Sequence, residues 1–246
     1  MRLINVNTGS LETFFANTPP YAILSHTWGS DEEELSYQDI QGGSTSKQGL
    51  GKLKFDGCCK QAKDDGYQYA WIDTCCIDKT NSVELGEAIN SMYRWYKEAV
   101  ICYALLSDVS AGIETTFRES RWFTRGWTLQ ELLAPVNLNF YDKDWQFLNS
   151  RTKLAGLVGE ITGIPSRYLT GLATCHEASV AQRMSWAAGR STKRVEDIAY
   201  SLFGLFDVMI PMIYGEGNKA FARLQKEIMT KTPDDSILAR FCDKPS

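Results

Sequence analysis

The fifteen residues RWFTRGWTLQELLAP, Arg121 to Pro135, hold two tryptophans, two arginines and a single glutamate. Read as one short helix, they place Trp127 and Glu131 four residues apart, on one face and one turn from each other. A carboxylate beside an indole loses water on one side, which strengthens its field toward whatever binds there. Arg121 and Arg125 precede it near the helix start, where free backbone N–H groups also favour anions. Such a set could hold a phosphorylated ligand while the carboxylate faces a developing positive charge. The plainer reading is a solvated glutamate paired with an arginine, and Trp127 in the core. Spacing alone favours the plainer reading.

A second set of reactive side chains lies in SHTWG, Ser25 to Gly29, with its Trp28, and in DTCCID, Asp73 to Asp78. His26 and Cys76 could face each other as an imidazole–thiol pair, with Asp73 or Asp78 orienting the imidazole, as in a Cys-His hydrolase. Against this, Cys75 and Cys76 sit among apolar residues and read more simply as packing, with His26 making a structural hydrogen bond. Each aspartate taken alone reads as a cap for the helix beginning near Ser82 or as an acceptor for its own loop's amides. A metal site is not expected, because CxxC and HExxH are missing and the chain has only two histidines, His26 and His176. GSTSKQGLGKL lacks the GxxxxGK[ST] order, and YGEGNKAF is not GxGxxG. The basic run GRSTKRVED, Gly189 to Asp197, reads as a solvated loop in preference to a second phosphate contact.

Positioning these groups requires a sheet. YAILSHTW (Tyr21–Trp28), YAWID (Tyr69–Asp73), VICYALL (Val100–Leu106) and NLNFYD (Asn137–Asp142) are short apolar runs bounded by polar residues, as buried parallel strands are. Between them lie helical patterns: KLKFDGCCKQAKDDG, stopped by Gly66, and SVELGEAINSMYRWYKEA, with Ser82 placed to cap it. Alternating strands and helices predict an α/β fold with right-handed crossovers and a mostly parallel sheet. Ligands of such sheets bind at the carboxyl ends of the strands, where SHTWG, DTCCID and the RWFTRGW segment could meet. After Trp145 four helical patterns follow, RTKLAGLVGEITGI, SVAQRMSWAAGR, VEDIAYSLFGLFDV and GNKAFARLQKEIMTK. The expected division is an α/β core over 1–145, a helical extension over 146–232 and a tail or linker over 233–246. QGGSTSKQGLG reads as a flexible surface loop.

The 246 residues suffice for a large hydrophobic core, and the formal net charge of −4 with both signs interspersed argues against a broad nucleic-acid surface. MRLINVNTGS lacks the pattern of a secretory signal, and no apolar run approaches the ~20 residues that span a bilayer. A cytoplasmic protein is expected, with no membrane partner. Its seven cysteines, adjacent at 58–59 and 75–76, suit reduced thiols better than a disulfide framework.

YAILSHTWG, WIDTCCIDK, RGWTLQELLAP and RVEDIAYSLFGLFDVMIPMIYGEGNKAFARLQKEI resemble the successive blocks of the fungal HET (heterokaryon incompatibility) domain, over about Tyr21 to Met229. That resemblance implies a cell-death effector of allorecognition or innate immunity, fused to or activated by a nucleotide-binding oligomerisation module. A more distant resemblance to TIR domains implies a TIR-like (flavodoxin-like) sheet with the helical part added. WTLQE matches the W-x-x-x-E form of enzymatic TIR domains, so the resemblance makes Glu131 the catalytic carboxylate of an NAD or NADP glycohydrolase, ionised and facing a ribosyl cation. NAD enters as substrate and no cofactor is implied. Trp127 or Trp28 would stack on a ring, Arg121 and Arg125 would meet the pyrophosphate, and Ser25, His26, Gly29, Asp73, Cys76 and Asp78 would complete the substrate site. Self-association is implied for activity. The rival expectation is a non-enzymatic module that assembles and recruits partners.

Overall fold

A computed structural model describes residues 1–42, 49–110 and 114–238. Seven strands form one sheet: β1 (Arg2–Asn5), β2 (Leu11–Thr13), β3 (Tyr21–His26), β4 (Tyr69–Trp71), β5 (Ile101–Leu105), β6 (Leu138–Tyr141) and β7 (Phe147–Ser150), in the spatial order β2-β1-β4-β3-β5-β6-β7. The expected parallel strands are the four central ones, β4-β3-β5-β6, and every residue of β3 is buried, as a strand covered on both faces must be. The sheet as a whole is mixed, which corrects the expectation of a mostly parallel one. β1 pairs antiparallel with both β2 and β4, and β7 pairs antiparallel with β6. Tight connections through residues 6–10 and 142–146 make the β1–β2 and β6–β7 pairings antiparallel, since a parallel return needs a crossover of a dozen or more residues. The sheet therefore continues past residue 145 through β7.

The helices are α1 (Tyr37–Gln41), α2 (Leu50–Asp64), α3 (Asp73–Cys76), α4 (Ser82–Glu98), α5 (Glu114–Arg118), α6 (Thr128–Leu133), α7 (Ala155–Thr162), α8 (Ser166–Leu169), α9 (Val180–Ala187), α10 (Asp197–Tyr200), α11 (Phe203–Phe206) and α12 (Lys219–Lys231). α2 crosses from β3 to β4, and α4 crosses from β4 to β5, on the far side of β3. With right-handed crossovers these two helices cover opposite faces of the sheet. The chain thus reverses direction across β3, and a crevice opens at the carboxyl edge beside it.

Local sequence sets the helix ends. The α4 cap is Asn81, whose side chain accepts from the Val83 and Glu84 amides, one residue before the expected Ser82. Asn supplies the acceptor while Ser82 enters the first turn. VEDIAYSLFGLFDV forms α10 and α11 instead of one helix, ended by Asp207 in a left-handed conformation (φ 52°). α11 packs on α4, tying the C-terminal helices to the sheet. The expected loop QGGSTSKQGLG lies largely outside the described residues, as does the end of the tail from 239 on. Among the described residues no helix is long and apolar enough to cross a membrane.

Candidate active site at the carboxyl edge of the sheet

A cavity of about 160 Å³ sits at the crevice beside β3. β3 contributes His26, the following loop Trp28, the start of α3 Asp73, and α6 with its approach Arg125, Trp127, Thr128 and Glu131. Ile77, Leu85, Ile89 and Met92 make an apolar wall, the last three on α4. Lys79, Lys193, Arg194, Asp197 and Tyr214 complete the lining.

Glu131 is buried. Its Oε2 accepts from the Ser25 hydroxyl at 2.5 Å, and Ser25 Oγ in turn accepts from the Trp122 indole N–H at 2.8 Å. The Tyr96 hydroxyl donates to the Leu24 carbonyl at 2.9 Å and also lies against the Glu131 carboxyl. Burial dominates and pushes the Glu131 carboxyl up to about 8, with the charge of Asp73 acting in the same direction, while Ser25, Tyr96 and Arg125 oppose it. The carboxyl expected to be ionised is therefore mostly protonated at neutral pH, because burial removes the water that would stabilise its charge.

Asp73 behaves oppositely. Burial works against its charge as well, but the Lys79 ammonium, the His26 hydrogen bond and the charge of Lys54 outweigh it and hold the carboxyl well below the ordinary range. Its Oδ1 lies 3.0 Å from His26 Nε2 and its Oδ2 3.6 Å from Lys79 Nζ. Because an ionised carboxylate only accepts, His26 Nε2 carries the proton of that bond. His26 Nδ1 is buried without a hydrogen-bond partner. Lys79 also lies over the Trp28 ring, 3.6 Å from its centroid, which fixes the indole at the rim.

The loop after β3 is held from beneath. Lys54 on α2, 2 % exposed, donates to the Thr27 carbonyl at 2.9 Å and pairs with Glu34, whose carboxylate also accepts from the Gly29 amide at 2.7 Å. Gly29 thus shapes the loop without lining the cavity.

RWFTRGWTLQELLAP forms two pieces, a 3-10 turn over Arg121–Thr124 and α6, with an extended break between them. At the break Arg125 pairs with Ser191: the Gly126 amide donates to the Ser191 carbonyl at 2.8 Å, and the Ser191 amide to the Thr124 carbonyl at 2.7 Å. A Cβ on Gly126 would stand 2.5 Å from Thr192 Cγ2, so only glycine admits this approach. The break corrects the expectation of a single helix, and its cause is a distant segment. It also carries the run GRSTKRVED, expected as a solvated loop, to the cavity, where Lys193 and Arg194 line the wall. Lys193 pairs with Asp31 at 2.6 Å, and Arg194 lies over the Tyr214 ring at 4.3 Å. Asp197 accepts from the Tyr214 hydroxyl at 3.0 Å and from the Trp127 indole. The far end of α6 is capped by Arg151, buried, which donates to the carbonyls of Leu132, Pro135, Val136 and Leu169.

Of the residues expected at the site, His26, Trp28, Asp73, Arg125, Trp127 and Glu131 line one cavity, and Ser25 touches it through Glu131. Arg121 does not. Its side chain is 69 % exposed and turns to Asp108, 3.5 Å away, because the break sends the 3-10 turn off the α6 axis. Asp78 accepts from the Thr80 amide of its own loop and from the Gln38 side chain on α1. Cys76 is buried, its thiol pushed far up by burial, with its sulfur accepting from the Ile72 amide, and it lies against a different depression from His26. A thiol held neutral and away from the imidazole does not form a Cys-His pair. Lys79, Asp197 and Tyr214 went unread in the sequence, since nothing local marks them. For Arg194 the basic run was the available signal.

This geometry defines an α/β domain whose sheet-edge cavity is lined by both basic and carboxyl side chains. Residues 21–119 match the family model described as heterokaryon incompatibility protein (HET). The chain is also 49 % identical over 232 residues, 90 % of its length, to vegetative incompatibility protein HET-E-1 of Podospora anserina. The chain belongs to the HET family. It spans 17 % of the length of that relative. No solved structure matches it.

Proposed function

We propose that this chain is the effector domain of an incompatibility system and that it promotes cell death by cleaving the nicotinamide–ribose bond of NAD or a related nucleotide at Glu131. The observation that carries the reading is the Glu131 carboxyl, buried one helical turn from Trp127 and lining the cavity at the carboxyl edge of β3. Nicotinamide in NAD leaves as a neutral base from a cationic ring, so no acid need protonate it. What must be stabilised is the ribosyl cation, and one carboxylate suffices. A cation beside Glu131 also favours its ionised form, opposing the burial that keeps it protonated.

The cavity supports one end of a dinucleotide. Its volume of about 160 Å³ is below the roughly 300–1,000 Å³ that encloses a drug-sized ligand. The α4 wall of Leu85, Ile89 and Met92 suits the uncharged face of a pyridine ring, and Trp127 and Trp28 are placed to stack. Arg125, Lys193 and Arg194 at the lining are the anion partners for the pyrophosphate, in place of the Arg121–Arg125 pair. The four central strands run in the order second-first-third-fourth, the start of a flavodoxin-like arrangement, which is consistent with a TIR-like core. The HET-E-1 relative extends far beyond the matched segment, which fits activation by other domains and self-association.

The test is nicotinamide release from NAD by concentrated or surface-clustered protein, wild type against Glu131→Gln. The expected result is release by the wild type and a loss of about 10²–10³-fold in the variant. Equal turnover would overturn the assignment. The non-enzymatic alternative draws on the exposed Val195 and Ile198 beside α12 as an assembly surface. It predicts killing that persists in folded Glu131→Ala and vanishes when self-association is blocked.

A further inference from the structure

We infer that His26, held by Asp73, is the base that takes the proton of the nucleophile capturing the ribosyl cation. The inference rests on the proposed cleavage at Glu131 and assigns the second half of that reaction. His26 ends β3, is buried and lines the cavity. One ring nitrogen, Nε2, donates to the Asp73 carboxylate at 3.0 Å. The other, Nδ1, is buried and makes no hydrogen bond. An unpaired buried acceptor costs stability unless something fills its demand, and a hydroxyl donor in the cavity would.

Asp73 is itself arranged to remain an anion. Lys79 stands 3.6 Å from its second oxygen, and the charge of Lys54 reaches it from α2. A fixed carboxylate on Nε2–H sets the tautomer that leaves Nδ1 as acceptor and steadies the imidazolium once Nδ1 is protonated. Glu131 and His26 thus line one cavity from two elements, α6 and the end of β3, with different tasks. The carboxylate meets the cation and the imidazole accepts a proton.

The step balances. The C1′–N1 bond breaks with its electron pair moving to the ring nitrogen, which leaves as neutral nicotinamide. A water oxygen bonds to C1′ of the ribosyl cation and its proton passes to His26 Nδ1. The products are nicotinamide, ADP-ribose and a proton later released to solvent. A nucleophile that carries no proton on its attacking atom, such as the ring nitrogen of a pyridine, needs no base at all.

That difference supplies the experiment. Wild type, His26→Gln and Asp73→Asn are incubated with NAD, with and without added 3-acetylpyridine, and hydrolysis is measured beside exchange of the pyridine base. Removal of a general base costs roughly 10²–10⁴-fold. The expected result for His26→Gln is a hydrolysis loss of about 10²-fold or more with base exchange largely retained, so that the exchange-to-hydrolysis ratio rises. Asp73→Asn, which keeps shape and loses the charge, is expected to shift the ratio the same way by less. Parallel loss of both reactions in variants that melt as the wild type does, or no loss of either, overturns the base assignment while leaving the cleavage reading in place. A wild type that does neither reaction overturns both.

Discussion

Two carboxyl groups lining one cavity are displaced in opposite directions from the ordinary carboxyl range. Glu131, on α6, has neutral hydrogen-bond partners in Ser25 and Tyr96, and although the charge of Arg125 opposes it, burial pushes the carboxyl up to about 8. Asp73, on α3, is bordered by Lys79, His26 and Lys54, and these hold it well below the ordinary range despite burial. The contrast shows that depth alone does not decide charge. Neutral donors stabilise a carboxylate modestly, whereas cations a few ångströms away in a poorly solvated setting do so strongly.

The difference can be attacked from the Asp73 side first. Lys54→Met removes the buried ammonium that pairs with Glu34, and breaking a buried pair of this kind costs about 3–5 kcal/mol. The expected result is a large drop in the denaturant midpoint with an unchanged slope. Next in size is the loss of about 10²–10³-fold in nicotinamide release on Glu131→Gln, about 2.7–4 kcal/mol in transition-state terms.

A smaller effect concerns stability and pH. A carboxyl with a raised native pKa binds more protons folded than unfolded, so stability falls as pH rises from the ordinary carboxyl range toward about 8. Glu131→Gln lacks this component, and at pH 8 it should be more stable than the wild type by about 1–3 kcal/mol. Chemical denaturation at two pH values checks this; identical pH dependence in both proteins would break the contrast between the two carboxyls. Least affected should be Arg121→Ala, which lies outside the cavity on an exposed pair with Asp108 and is expected to change turnover less than about twofold. Arg125→Ala, from the same sequence motif but at the cavity, should weaken NAD binding by a larger factor, measurable as a raised KM.

The four central strands could be read from sequence because buried parallel strands are unbroken apolar runs. β2, Leu-Glu-Thr, and β7, Phe-Leu-Asn-Ser, are edge strands with half-exposed residues and carry no such run. Trp127 and Glu131 were legible as a pair because helical spacing is local. The break before them was not, since it is made by Ser191, more than sixty residues on, pressing its backbone against Gly126. The same contact explains why a polar, basic run reads as solvated and yet lines the cavity. His26 and Asp73 were within reach of sequence reasoning as neighbours at strand ends, but the unfilled Nδ1 and the cations around Asp73 belong to tertiary packing.

The central claim is that an ionised Glu131 stabilises the ribosyl cation. Because kcat/KM reports ionisations of the free protein, its pH profile for nicotinamide release tests this directly. The account predicts a rise of about tenfold per pH unit that levels off near about 8 and that persists, at lower absolute rate, in His26→Gln. A profile flat between about pH 6 and 8, or one that falls as pH rises, would contradict it.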